Sequence, residues 1–241
     1  MRFAALLVFC ASSVSVLAAP PDASGTGTPL HHPLKPFVAT YDVKRGGKTI
    51  GEATMTLSRD AANGWTLVTE TRGTAGMARL LGLDVREESH FTDLGGTTLQ
   101  SIDYRYRQDA ALKSKQRRIE FDWTANEARV TDRDKLFRYV LQPGTVDRHL
   151  VVLALARQQG AEPPLQLAVA SKDAVERQIF ARRENRMLRT SAGEFSATRY
   201  ERTDKPGKGH SWYTTQLLAP LQVEQVQKDG NNIVMELKAI R

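Results

Sequence analysis

Two groups of residues in this chain have types and spacings that suit chemistry or binding. The first is Glu87, Glu88, His90 and Asp93, its densest run of carboxylates and imidazole and the donor set of a metal site or a proton-transfer site. Strand alternation divides it. Glu88 and His90 fall on one face and Glu87 and Asp93 on the other, so at most one carboxylate and one imidazole converge. The second group is the stretch Lys113 to Trp123. Read as a strand, it places Lys113, Lys115, Arg117, Ile119, Phe121 and Trp123 on one face and Ser114, Gln116, Arg118, Glu120 and Asp122 on the other. One face therefore passes from cationic to apolar. Lining a concave sheet, it would form an apolar trough with a positive rim, a shape suited to an amphiphile with an anionic head. Lying in a core, it would be a packing strand whose basic end projects past the sheet. The preceding strand sets Ile102, Tyr104 and Tyr106 on one face, with Tyr104 and Tyr106 as further lining residues.

Motifs for catalysis are missing. The chain has no G-x-S-x-G or S-x-x-K, no phosphate-cradling or dinucleotide glycine pattern, and no H-E-x-x-H. His90, His149 and His210 are dispersed, and His31-His32 lacks the further ligands that fix a metal. These features predict no catalytic residue, no metal, no cofactor and no enzymatic activity.

The elements that must position these residues read as a meandering antiparallel sheet. Phe37 to Arg45 turns at Gly46-Gly47 into Lys48 to Ser58, and Asn63-Gly64 leads into Trp65 to Thr74. Gly76 to Gly82 is a short helical insert. Asp84 to Thr92, Thr97 to Arg107, Lys113 to Trp123, Glu127 to Asp132 and Leu136 to Leu141 continue the strands. One apolar helix is predicted from Val146 to Gln159, with Thr145 as its cap, Asp147 in its first turn and Arg157 in its last. It has almost no polar face and must be covered by protein. Strands resume at Leu165 to Ala170, Ala174 to Arg182, Arg186 to Thr190, Phe195 to Arg202 and Ser211 to Thr215, with a turn expected at Glu184-Asn185. Gln222 to Gln227 and Ile233 to Ile240 close the chain as a hairpin.

Residues 1–18 have the three parts of a signal peptide: Arg2, an apolar run from Phe3 to Phe9, and small residues up to a cleavage site near Ala18. Residues 19–36 are a proline-rich flexible lead-in, and residues 37–241 are long enough for a single β-rich domain. Cys10 is the sole cysteine and falls in the leader, so the exported chain has no disulfide and no thiolate. The formal net charge of +7 includes only Arg2 from the leader. Outside the cytoplasm the polyanions available to that charge are phospholipid and lipopolysaccharide head groups and other acidic envelope polymers rather than nucleic acid, and a well-solvated surface is the plain alternative.

The Tyr41-Asp42-Val43 strand with Gly46-Gly47 and Ile50-Gly51, the Pro143-Gly144-Thr145-Val146-Asp147 approach to a helix containing Arg157, Ala192-Gly193-Glu194-Phe195, and Trp212-Tyr213 followed by Pro220-Leu221 occur in that order. In this the chain resembles the exported Gram-negative family catalogued as domain of unknown function 3108. It departs from that pattern at Arg148-His149, where the family has a small or polar pair. The resemblance implies a periplasmic location and a β-rich fold, and it carries over no catalytic residue. The run from Trp212 to Ile240 is similar, more loosely, to the half-barrels that carry lipoproteins through the periplasm. The expectation is a mainly β, curved antiparallel sheet, a half-barrel or open barrel, with one buried helix. Its expected role is to bind a lipid or lipoprotein without chemistry through Lys113, Lys115, Arg117, Ile119, Phe121, Trp123, Tyr104 and Tyr106. An interaction module for another envelope protein is the alternative, and peripheral contact with an anionic membrane surface fits either.

Overall fold

The computed structural model describes residues 32–60, 64–80, 82–111, 114–161, 164–227 and 230–241; the leader, most of the lead-in and Lys113 lie outside them. In chain order the first strands are β1 (Phe37–Arg45), β2 (Lys48–Arg59) and β3 (Trp65–Gly73), followed by the short helix α1 (Gly76–Leu80). Next come β4 (Asp84–Asp93), β5 (Leu99–Asp109), β6 (Lys115–Asp122), β7 (Glu127–Asp132), β8 (Lys135–Val140) and β9 (Val146–Asp147), then helix α2 (Val151–Arg157). The chain ends with β10 (Leu165–Ala170), β11 (Val175–Thr190), β12 (Gly193–Arg202), β13 (Gly209–Tyr213), β14 (Gln222–Val226) and β15 (Asn232–Ile240).

All fifteen strands join one curved sheet, with β1 between β2 and β15. From β2 the sheet runs outward in sequence order to β8, and from β15 it runs back to β9. Successive strands are antiparallel neighbours, as short turns require, except that β8 and β9 lie at opposite ends of the sheet and that β9 and β10, separated by α2, pair in parallel. Gly46 and Gly47 both have positive φ, the conformation a two-residue hairpin needs for its twist to match the strands. Alternation sets the inner face: Phe37, Ala39, Tyr41 and Val43 on β1, Ala53, Met55 and Leu57 on β2, and Trp65 and Leu67 on β3 are buried. This layer and the buried side of α2 make the main core. A second cluster lies under β5–β8, where Tyr104, Ile119, Phe121, Ala128 and Val130 pack with Leu141 and Ala170.

Three expectations are corrected. The helix is shorter than Val146 to Gln159, and its cap is Leu150 rather than Thr145. Thr145 instead donates its hydroxyl to the Gln142 carbonyl at 2.6 Å. Asp147 is held in β9, where its carboxylate accepts the backbone N–H groups of His149 (2.9 Å) and Leu150 (3.0 Å), so helical bonding begins only at Leu150. Arg182 to Asn185 is no turn: β11 runs through it as one sixteen-residue strand with a bulge, because β12 pairs with it on both sides. Ile102 leaves the face of Tyr104, because the pairing of β4 with β5 slips between His90–Asp103 and Phe91–Ser101, leaving Ile102 as the extra, exposed residue.

That bulge is where the sheet comes round on itself. The Ser101 N–H bonds to the Thr145 carbonyl at 3.2 Å, and the Asp147 N–H bonds to Ser101 Oγ at 2.8 Å. The buried Asp147 carboxylate also receives the hydroxyls of Ser89 (2.9 Å) and Ser101 (2.7 Å). Terminal strand β9 thus docks on β5, in the interior of the sheet, rather than on β8. The sheet stays open, and β6–β8 project past the seam as a wing. Asp147→Ala leaves two hydroxyls and two N–H groups without their acceptor and is expected to destabilise the protein by roughly 3 kcal/mol or more. Asp147→Asn keeps one acceptor oxygen and is expected to cost less. Urea unfolding measures both changes, and faster hydrogen exchange of the Ser101 amide would report the loosened seam.

Candidate functional site

The inner face of the wing carries the cationic-to-apolar gradient of β6, and the seam supplies a residue from elsewhere in the chain. Lys115 and Arg117 come from β6, Tyr104 and Tyr106 from β5, Asp132 from the end of β7, and Arg148 from the turn between β9 and α2. Together they line a cavity of about 120 Å³, space for about four waters. Cross-strand pairing brings the first five together: Tyr106 lies opposite Arg117, and Arg117 opposite Asp132. Arg148 arrives only because Asp147, its neighbour, is pinned at the seam.

The charges are partly matched. Arg117 Nη2 lies 3.2 Å from Asp132 Oδ2, while its buried Nε has no acceptor. Lys172, in the turn after β10, reaches Asp132 at 3.5 Å and sets its ammonium 4.9 Å from the Phe137 ring centre. Arg148 donates to Glu87 Oε1 at 3.0 Å, with its guanidinium carbon 5.2 Å from the centre of the Tyr106 ring. Tyr104 donates to the same Glu87 oxygen at 2.6 Å. Lys115 makes no ion pair among the described residues. Burial pushes the Asp132 and Glu87 carboxyls up, but the adjoining cations, Arg117 and Lys172 for Asp132 and chiefly Arg148 for Glu87, hold both below the usual range. Both acids are therefore ionised at neutral pH. Cations still exceed carboxylates in the cavity and its surround, and among the described residues the Arg117 Nε has no acceptor. The arrangement suits a small oxyanion such as a phosphate or carboxylate group.

Of the residues singled out in the sequence, Lys115, Arg117, Tyr104 and Tyr106 meet at this cavity, and Lys113 lies outside the described residues. Ile119 and Phe121 are only 1% and 6% exposed, packed in the second core cluster. Trp123 stacks on Phe121 and donates its indole N–H to the Ser101 carbonyl at 2.8 Å. The apolar half of the expected trough is thus closed by packing, and its basic half remains open. Arg148 and Glu87 were missed as site residues. Their signals were present: alternation sets Glu87 on the face opposite Glu88 and His90, and Arg148 belongs to the pair that departs from the family pattern.

Behind the cavity lies a buried chain of hydroxyls and one imidazole. His149 Nε2 is 2.8 Å from Thr69 Oγ1, and its Nδ1 is 2.9 Å from Ser89 Oγ. Ser89 gives its single hydrogen to Asp147, so Nδ1 must carry a proton and donate to Ser89, leaving Nε2 to accept from Thr69. The fully buried Ser89 bridges acid and imidazole, which differs from a nucleophile facing a substrate. The other run of acids is dispersed: Glu88 bonds His90 at 3.0 Å and Arg86 at 2.9 Å, whereas Asp93 pairs with the buried Arg157 at 2.6 Å.

Residues 40–238 match the profile of the family described as protein of unknown function DUF3108. Among solved structures, the chain is similar to a β-barrel-like protein of domain of unknown function DUF1849 from Brucella abortus. The identity is 11% and the TM-score 0.44, over 85% of this chain and 96% of that one. It is also similar to a candidate lipoprotein from Parabacteroides distasonis, at 10% identity and a TM-score of 0.35 over 88% and 98% of the respective chains. No curated protein matches the chain.

Burial holds the pKa of His149 below its ordinary value, despite the pull of Glu87 and Asp147 in the other direction. An unfolded imidazole takes up its proton near pH 6.5. The stabilisation from keeping His149 neutral is therefore full above that pH and is lost as the pH falls from there towards the lower folded value. The unfolding free energy is expected to drop between pH 7.5 and 5.5, and to drop less in His149→Gln. Denaturant titrations at the two pH values measure the difference, and equal slopes for both proteins would exclude His149 as the source.

Proposed function

The chain belongs to this family of unknown function, and we propose that it is an exported, non-enzymatic binding protein for an anionic amphiphile of the cell envelope. The observation that carries this reading is the convergence of Lys115, Arg117 and Arg148 on a cavity of head-group size, where Lys115 makes no ion pair among the described residues. A phosphate or carboxylate there would lie among these three cations and place negative charge opposite Lys115. Tyr106 offers an aromatic wall. Export is supported by the leader pattern at residues 1–18, and it places the basic surface among anionic lipid head groups. The absence of recognised catalytic motifs supports a role without chemistry.

A second reading, an interaction module for another envelope protein, draws support from the packing of Ile119 and Phe121. It is also favoured by β8, an edge strand with Leu136 78% and Val140 70% exposed. Titration with a short water-soluble alkyl phosphate, followed by native mass spectrometry, separates the two. One adduct per chain is expected, weakened at least about tenfold by the combined substitutions Lys115→Gln and Arg117→Gln. An adduct unchanged by those substitutions would refute the head-group site. A clean apo mass beside a co-purifying protein would favour the interaction module.

A further inference from the structure

We propose that the basic end of the wing is a docking surface for an anionic phospholipid bilayer. This rests on the head-group reading above and deepens it by stating where the ligand lies when it is bound. With Ile119 and Phe121 packed, no acyl trough adjoins the head-group cavity among the described residues. An amphiphile engaged at Arg117 would therefore keep its tail in the membrane, and the protein must come to the lipid.

The wing end is built for that approach. Two depressions, of about 550 and 490 Å³, lie at the same strand ends and share Arg117 and Arg133. The first takes Arg105, Arg107 and Arg118 from the outer face and has no carboxylate in its lining, although Arg105 and Arg118 pair with Asp103 at 2.8 and 2.9 Å and Arg107 with Asp109 at 2.6 Å, which leaves Arg133 as its unmatched charge among the described residues. The second adds Lys115, Lys135 and Lys172 and also holds Asp132 and Asp134. It shares Lys115, Arg117 and Asp132 with the head-group cavity, so that cavity gives onto the basic end. Arg133 and Lys135 stand exposed at the β7–β8 hairpin and make no ion pair among the described residues. Arg133 has φ of 57°, a conformation better suited to asparagine, so its presence there is not explained by the turn. Lysine and arginine on both faces of one projecting end, with the cavity between them, complement a layer of phosphodiester head groups.

The test is co-sedimentation of the purified full chain with vesicles of phosphatidylcholine alone or of equal parts phosphatidylcholine and phosphatidylglycerol. The expected result is binding to the mixed vesicles alone, falling as salt rises. Arg133→Asn with Lys135→Gln should weaken it about 25-fold, at about fivefold per neutralised residue. Asparagine suits the left-handed turn, so this variant is expected to keep the fold, which an unchanged urea midpoint would verify. Lys238→Gln on distant β15 should bind as the parent does. Equal binding to both vesicle types, or no loss in the double variant, would overturn the proposal. So would equally tight binding of a soluble polyanion such as heparin, which would assign the patch to an acidic polymer. The head-group reading fails separately: Arg148→Gln would then leave alkyl phosphate binding unchanged while vesicle binding persisted. If only the docking surface fails, alkyl phosphate still binds and the vesicles do not.

Discussion

A buried carboxylate sets the shape of this protein. Asp147 is fully inaccessible, and it is tolerated because four donors from three parts of the chain converge on it: Ser89 on β4, Ser101 on β5, and the N–H groups of His149 and Leu150. Those bonds fix three things at once. They hold β9 extended, they delay α2 until Leu150, and they seat the end of the sheet against the bulge at Ile102. A sheet that closed on its last strand would have paired β9 with β8. Docking on β5 instead leaves the wing, and the wing with its neighbouring seam creates the cavity.

The residues on which the resemblance to the family rests serve the same purpose. Tyr41 sends its hydroxyl to the Pro220 carbonyl at 3.1 Å, tying the first strand to the segment before the last hairpin. Arg157, fully buried on α2, pairs with Asp93 and also reaches the Gly96 carbonyl, fastening the helix to the β4–β5 turn. Trp212 and Tyr213 are core residues. In this chain those residues form a set of ties between distant segments, each expensive to break in a low-dielectric interior. Such a pattern specifies architecture and says little about a ligand. Arg148, which lines the cavity, and His149 behind it fall where this chain departs from the resemblance.

The legible part of the site followed from periodicity. Alternation placed Lys115, Arg117, Tyr104 and Tyr106 on inward-facing positions of neighbouring strands, and cross-strand pairing of β5 with β6 brings them together. Whether Ile119 and Phe121 would line a trough or fill a core was not legible, because both outcomes use the same alternation. What covers them is Val130 from β7, Ala128 beside it, and Ala170 from a strand almost fifty residues further along the chain. The Glu184-Asn185 pair misled for a related reason: its charged, turn-like composition describes local preference, whereas pairing with β12 decides that the strand continues.

The sequence by itself determined most of the strands, the turn at Gly46-Gly47, the presence of one nearly all-apolar helix, and the face on which the basic residues of β6 lie. These depend on interactions within a few residues, where side-chain period and backbone preference act directly. The tertiary structure alone decided the seam at Asp147, the bulge that receives it, the filling of the trough and the arrival of Arg148 beside Arg117. Each of those joins groups dozens of residues apart, and each depends on how far a twisted sheet curls before its end meets a donor set that can accommodate a buried charge.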